Sequence, residues 1–273
     1  MRVGIFDSGV GGLTVLRAVA EAMPGLDLIY LGDTARVPYG TRSPRTVIRY
    51  SLGLGSFLAG QGVDALVVAC NTATTHALPA LQRAGAEAGV RVFGVIEPGV
   101  TAALRVHERG AIAVLGTEGT VRGGAYQRAL VQARPGLEVV GRACPLFVPL
   151  AEEGWLSGEV PELVASRYLS DLVGQIDTAI LGCTHYPLLK EVIQRALPGV
   201  RLVDSATETA AALLQALGPQ PGQGARVFQV TDHVERFGQT GAIFLGQEPS
   251  PVEWVDLPPP AGAFASCCPE GRF

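Results

Sequence analysis

The feature that most constrains the fold of this chain is a ten-residue segment that occurs twice and aligns with itself without gaps. Val63-Asp64-Ala65-Leu66-Val67-Val68-Ala69-Cys70-Asn71-Thr72 matches Ile176-Asp177-Thr178-Ala179-Ile180-Leu181-Gly182-Cys183-Thr184-His185. Each copy is an aspartate, a mostly apolar stretch, a small residue, and then a cysteine followed by polar residues. An apolar run with no polar alternation is a strand buried on both faces, as in a parallel sheet covered by helices. A weaker match sets residues 3–8 against 112–117, where a polar residue again follows a strand. The spacing between the two cysteines, 183 − 70 = 113 residues, is too long for a solenoid repeat and fits a duplicated lobe.

The rest of the chain has the same rhythm. Short apolar runs at 3–6, 26–31, 65–69, 92–96, 111–115, 137–140, 179–181 and 201–203 alternate with helical patterns such as 13–22 and 46–59. Strand–helix alternation predicts an α/β fold. The expectation is two pseudo-symmetric lobes, each a mostly parallel sheet flanked by helices, with the active site between them. Lobe one is read as residues 1–96 plus 207–256, lobe two as 97–206, and 257–273 as a loose Pro/Gly-rich tail. Ligands of such sheets bind beyond the carboxyl ends of the strands, so the residues just after each apolar run are the candidates for chemistry.

Composition removes several classes. With 48% hydrophobic and 17% charged residues over 273 positions, the chain builds a core. Its net charge of −4 and lack of any Lys/Arg run argue against a nucleic-acid or membrane-surface partner. No segment approaches the ~18 apolar residues of a spanning helix. The opening residues read as a strand, so no signal peptide is expected. The five cysteines, odd in number and widely spaced, suggest free thiols in a reducing cytosol. Lysine occurs once, at Lys190, within an apparent surface helix. A pyridoxal-phosphate enzyme needs a lysine for its Schiff base, so that chemistry is not expected.

Cys70 and Cys183 each follow a strand, and each is expected to precede a helix N-terminus, which lowers a thiol pKa. A free cysteine is more often inert core, but two at matching repeat positions point to function. Cys144 lacks that context and reads as core; Cys267 and Cys268 read as incidental. No CxxC pair or other ligand cluster suggests a metal. One base of identical type on each side of a carbon suits racemisation, which takes a proton from one face and delivers one to the other. The run Asp7-Ser8-Gly9-Val10-Gly11-Gly12 lacks the GxGxxG spacing of a dinucleotide loop. Its amides and Ser8 could instead hold a carboxylate, with Asp7 facing an ammonium group, tuning a thiol or serving as a plain turn residue. The polar segment 32–43 reads as a lid or substrate contact, with helix capping the alternative for Asp33 and Arg42.

Four blocks carry a resemblance: Gly4-Ile5-Phe6-Asp7-Ser8-Gly9, Asp33-Thr34-Ala35-Arg36-Val37-Pro38-Tyr39-Gly40, Ala69-Cys70-Asn71-Thr72-Ala73 and Gly182-Cys183-Thr184-His185-Tyr186-Pro187-Leu188. In this order they closely resemble the aspartate/glutamate racemase family, and within it the glutamate enzymes, over residues 1–256. Aspartate racemases resemble the first cysteine block but usually carry Glu at the position of His185. The resemblance implies a cofactor-independent racemase of glutamate, acting in the cytoplasm as a homodimer and supplying D-glutamate for peptidoglycan. It implies that Cys70 and Cys183 are the acid/base pair, assisted by Asp7, Glu152 and His185. It implies further that Asp7, Ser8, Tyr39, Gly40, Asn71, Thr72, Thr184 and His185 bind substrate. The rival readings are a racemase of aspartate or another acidic amino acid, and a two-lobed amino-acid-binding protein without chemistry.

Overall fold

A computed structural model describes residues 1–269. In chain order the first part comprises β1 (Arg2–Asp7), α1 (Leu13–Ala22), β2 (Asp27–Gly32), α2 (Pro44–Gly60), β3 (Ala65–Val68), α3 (Asn71–Ala88), β4 (Arg91–Gly94) and α4 (Ile96–Val106). Next come β5 (Ala111–Gly116), α5 (Glu118–Gly123), α6 (Ala125–Ala133), β6 (Val139–Ala143), α7 (Phe147–Glu152), α8 (Glu159–Leu169), β7 (Ile176–Gly182), α9 (Lys190–Ala196) and β8 (Arg201–Asp204). The chain closes with α10 (Ser205–Leu217), β9 (Arg226–Val230), α11 (Val234–Leu245), β10 (Val252–Trp254) and α12 (Gly262–Ser266).

Two sheets result, of order β10-β9-β2-β1-β3-β4 and β6-β5-β7-β8, and every pairing in them is parallel. The second sheet repeats the inner order of the first, with β5 for β1, β6 for β2, β7 for β3 and β8 for β4. Register makes the correspondence residue by residue. Phe6 faces Val68 across β1 and β3, and Leu115 faces Leu181 across β5 and β7. Both sequence matches therefore hold in space: Cys70 corresponds to Cys183, and Ser8 to Thr117. The all-apolar strands follow from cover on both sides, since β1, β3, β5 and β7 are almost wholly buried.

Local signals set the helix starts that matter for the site. Ser43 caps α2 by accepting from the Thr46 amide at 3.3 Å, with Pro44 in the first helical position. Cys70 itself caps α3, its sulfur accepting from the Ala73 amide at 3.4 Å, and Gly89 ends that helix in the left-handed conformation. One continuous apolar cluster runs through both sheets, joining Val3, Ile5 and Val67 to Ala113, Leu115 and Leu181, with Ala206, Ala210 and Leu213 of α10 among its members. Burying a shared core of this kind ties the two sheets into one body.

The tail departs from expectation. Residues 257–269 are not loose: Phe264 on α12 is 3% exposed and packs with α2 and α3, while Cys267 and Cys268 lie half-buried against the same cluster. A single aromatic anchor holds a segment whose composition otherwise reads as disordered. The final residues of the predicted tail, 270–273, lie outside the described residues. Among the described residues no helix is long and apolar enough to cross a membrane.

Candidate active site

The carboxyl ends of β1, β3, β5 and β7 converge on a cavity of about 160 Å³ between the sheets. Its walls bring together Ser8, Tyr39, Gly40, Cys70, Asn71, Thr72, Cys183, Thr184 and His185. Asp7 and Glu152 do not line it; each stands behind a residue that does. Thr41, of the segment expected to contact substrate, also lines it, and so do Thr117, Glu118, Pro145, Val148 and Pro149, for which the sequence reading proposes no role. The weaker repeat match had already aligned Thr117 with Ser8, so that signal was present; the others carry none.

The two thiols differ in their surroundings. Cys70 donates to the Ser8 hydroxyl at 3.8 Å while capping α3. Burial pushes its thiol up to about 12; the Asp7 charge adds to the rise, and the hydrogen bonds with Ala73 and Ser8 only partly oppose it. The lowered pKa expected from a helix N-terminus is therefore corrected for Cys70, because desolvation outweighs the dipole. Cys183 does not cap a long helix: a 3-10 turn at Tyr186–Leu189 intervenes before α9. Its sulfur instead lies 3.7 Å from His185 Nδ1.

His185 is 5% exposed, its Nε2 lies 3.0 Å from Glu152 Oε1, and Phe244 packs edge-on against its ring at 5.1 Å. Burial disfavours the imidazolium, yet hydrogen bonds and charges from Cys183 and Glu152 prevail and lift His185 to about 10. Burial likewise disfavours ionised Glu152, but the bond and charge of His185, with Arg236 behind, hold it below the usual carboxylate range. His185 and Glu152 thus each favour the charged form of the other. Asp7 has one oxygen on the Gly9 amide at 3.0 Å and its Oδ1 buried without a partner. Burial raises its carboxyl, against the opposing charge of His185.

Bonds across the cleft hold the halves in register. Thr14 Oγ1 donates to Thr184 O at 3.0 Å, and the hydroxyls of Thr72, Thr117 and Thr120 lie within 3.1 Å of one another. Buried Asp33 anchors the segment over the cavity: it accepts from the Tyr39 hydroxyl and from Thr231 at 3.0 Å, with Arg36 at 3.6 Å. Asp33 thus does not cap α2, a place Ser43 takes, and Arg42 is exposed. Cys144 is buried core, its carbonyl accepting from Tyr186 at 2.8 Å, and Lys190 is exposed at the start of α9. Among the described residues no group of three or more His, Cys, Asp or Glu is arranged to hold a metal ion.

A pH dependence follows from the buried thiols. Burial also pushes Cys144 up to about 12, as with Cys70. An unfolded thiol ionises near ~8.5, so the unfolded state loses protons first. The stability these groups contribute is complete below about pH 8.5 and is lost as pH rises toward the folded values. Unfolding free energy should fall by up to about 1.4 kcal/mol per pH unit for each thiol. Urea melts between pH 8.5 and 10 should show this fall, with a shallower slope in Cys144→Ala. Identical slopes in the two proteins would refute the assignment.

Two parallel sheets with duplicated cysteines at matching strand ends define a pseudo-symmetric racemase-type site, and the chain belongs to the Asp/Glu/Hydantoin racemase family, whose profile matches residues 10–213. It is 51% identical to glutamate racemase of Aquifex aeolicus (strain VF5) over 251 residues, covering 92% of this chain and 96% of the relative. Among solved structures it is similar to glutamate racemase from Francisella tularensis subsp. tularensis SCHU S4 in complex with D-glutamate (TM-score 0.86, 35% identity, 93% of this chain and 97% of that one). It is also similar to glutamate racemase from Thermus thermophilus in complex with β-chloro-D-alanine (TM-score 0.84, 44% identity, 94% and 97%).

Proposed function

We propose that this protein is a glutamate racemase that interconverts the L and D enantiomers without a cofactor, using Cys70 and Cys183 as its two bases. The observation that carries the reading is the placement of both thiols, from equivalent positions of a duplicated fold, on the wall of one small cavity. The relatives at high identity over nearly the whole chain support glutamate as the substrate.

The arrangement suits deprotonation of the L enantiomer at Cys183. His185 offers its imidazolium to the Cys183 sulfur, and Glu152 orients the ring from behind. On the other side Cys70 is held as a thiol, ready to deliver a proton. As Cys183 takes the α-proton and Cys70 gives one to the opposite face, the stereocentre inverts. The thiolate then sits at the amino end of α3, whose dipole and amides favour negative charge. A substrate ammonium near Asp7 would offset the charge that disfavours that thiolate. Ser8, Tyr39, Gly40, Thr72 and Thr184 complete the binding wall in this reading.

The lobe boundaries at 96, 206 and 256 belong to the same reading, supported by the sheet to which each strand belongs. So do a homodimeric state, a cytoplasmic location and the supply of D-glutamate to peptidoglycan. Circular dichroism of purified protein with L-glutamate and no added cofactor should decay to zero as the racemate forms. Unchanged ellipticity, or activity that disappears after EDTA and returns with a metal, would overturn the proposal. Inversion of L-aspartate at a rate equal to or above that of glutamate would favour the aspartate alternative.

A further inference from the structure

Asn71 lies at the end of the first repeat copy, where the second has Thr184. The residue is part of the cavity lining and is 3% exposed. An amide has a donor end and an acceptor end of nearly equal size, and only the donor end can meet a carboxylate. Here the acceptor end is engaged: Asn71 Oδ1 takes the hydroxyl proton of Tyr126 at 2.7 Å. The donor end, Nδ2, is buried with no partner at all. A buried N–H₂ without an acceptor is costly, and in an enzyme such a group is a place where a ligand supplies what the protein lacks.

Tyr126 is built for this contact. It stands on α6, fully buried, with its phenol against Gly99, where any Cβ would lie 3.5 Å from the hydroxyl oxygen, and with Ser205 as its other polar neighbour. Burial holds the phenol protonated, so it serves as a donor. It also belongs to the second sheet's layer, whereas Asn71 starts a helix of the first, so the bond forms only when the two halves are closed together.

We propose that Tyr126 is a positioning residue that fixes the amide of Asn71 with its NH₂ toward the cavity, so that the site receives a substrate carboxylate there. The inference rests on the reading of the protein as a glutamate racemase. Tyr126 touches no substrate atom; it acts through Asn71. Without its hydroxyl, binding a carboxylate at Nδ2 strands Oδ1 in the interior without a donor.

The test is steady-state racemisation of both enantiomers, with D-glutamate affinity by calorimetry, for wild type, Tyr126→Phe, Asn71→Ala and the double variant. The phenylalanine keeps the ring and hence the packing. Tyr126→Phe should raise KM for L- and D-glutamate and weaken D-glutamate binding by about tenfold, with kcat within about threefold. In the Asn71→Ala background the same change should have no further effect, because the group through which Tyr126 acts is gone. An active wild type with unchanged KM in Tyr126→Phe would overturn the inference and leave the parent reading intact. An equal loss in the presence and absence of Asn71 would show Tyr126 to be structural only. A wild type that neither binds nor racemises glutamate would overturn the parent reading, and the inference with it.

Discussion

Replacing either Cys70 or Cys183 by alanine is expected to lower racemisation by about 10³-fold or more, in both directions, whereas Cys144→Ala should stay within a few-fold of wild type. Cys70 and Cys183 face one cavity, while Cys144 is core. A base on one face cannot serve the other, so neither loss is rescued by the surviving partner. Because enantiomers have equal energies, kcat/KM must fall equally for L- and D-glutamate in any variant, and asymmetry can show only in kcat and KM separately. An isotope experiment separates two bases from one. In deuterated buffer, early D-glutamate formed from L-glutamate should carry deuterium at Cα from the first turnover, because the delivering thiol has already exchanged with solvent. Remaining L-glutamate should stay largely protiated. Mass spectrometry showing substantially protiated early product, or near wild-type turnover in either cysteine variant, would return one thiol to a structural role.

Gly11→Ala is the second large effect, and its origin is steric. A Cβ at this position would lie 2.4 Å from both His185 Cε1 and Thr184 Oγ1 and 2.5 Å from His185 Nδ1. Neither neighbour can retreat easily. His185 is held by Glu152 and by the Phe244 ring, and the Thr184 carbonyl accepts from Thr14. Overpacking of this kind costs about 1–3 kcal/mol, which in a chain of this size lowers the melting temperature by several degrees. Activity should fall further than stability, by about 10²-fold, since displacing His185 misplaces the donor beside Cys183. Gly53→Ala on α2 is the control: its Cβ would meet nothing within 4 Å, so stability should hold or rise slightly. Wild-type activity in Gly11→Ala would show that the two halves are less closely apposed than this.

The fold was readable to the extent that burial on both faces writes itself as uninterrupted apolar residues. The strands that end at Asp7 and just before Cys70 and Cys183 are of that kind, and the ungapped repeat disclosed the equivalence of the latter two. The outer strands β9 and β10 were not singled out, because RVFQV and VEW are partly exposed and mix polar with apolar positions. The tail misled for a related reason: composition averages over a segment, and one buried Phe264 is enough to dock it.

For the site, the residue types after each strand identified both thiols and most of their neighbours, since a parallel sheet delivers its strand ends to one edge. What the chain order could not disclose is which groups meet across the cleft. Asn71 and Tyr126 are 55 positions apart, Thr72 and Thr117 are 45, and Thr14 and Thr184 are 170. Such pairings depend on how two sheets pack, not on any local preference. Ionisation is decided in the same way. A cysteine at a helix start suggests a lowered pKa, and that much is local. Burial and the Asp7 charge instead push Cys70 to about 12. Sequence by itself determined the duplicated α/β architecture and the candidate residues for chemistry, because hydrophobic period and residue type are properties of short segments. Only the tertiary structure decided the protonation states and the cross-cleft partners, because desolvation and Coulomb interaction depend on distances through space that chain position does not set.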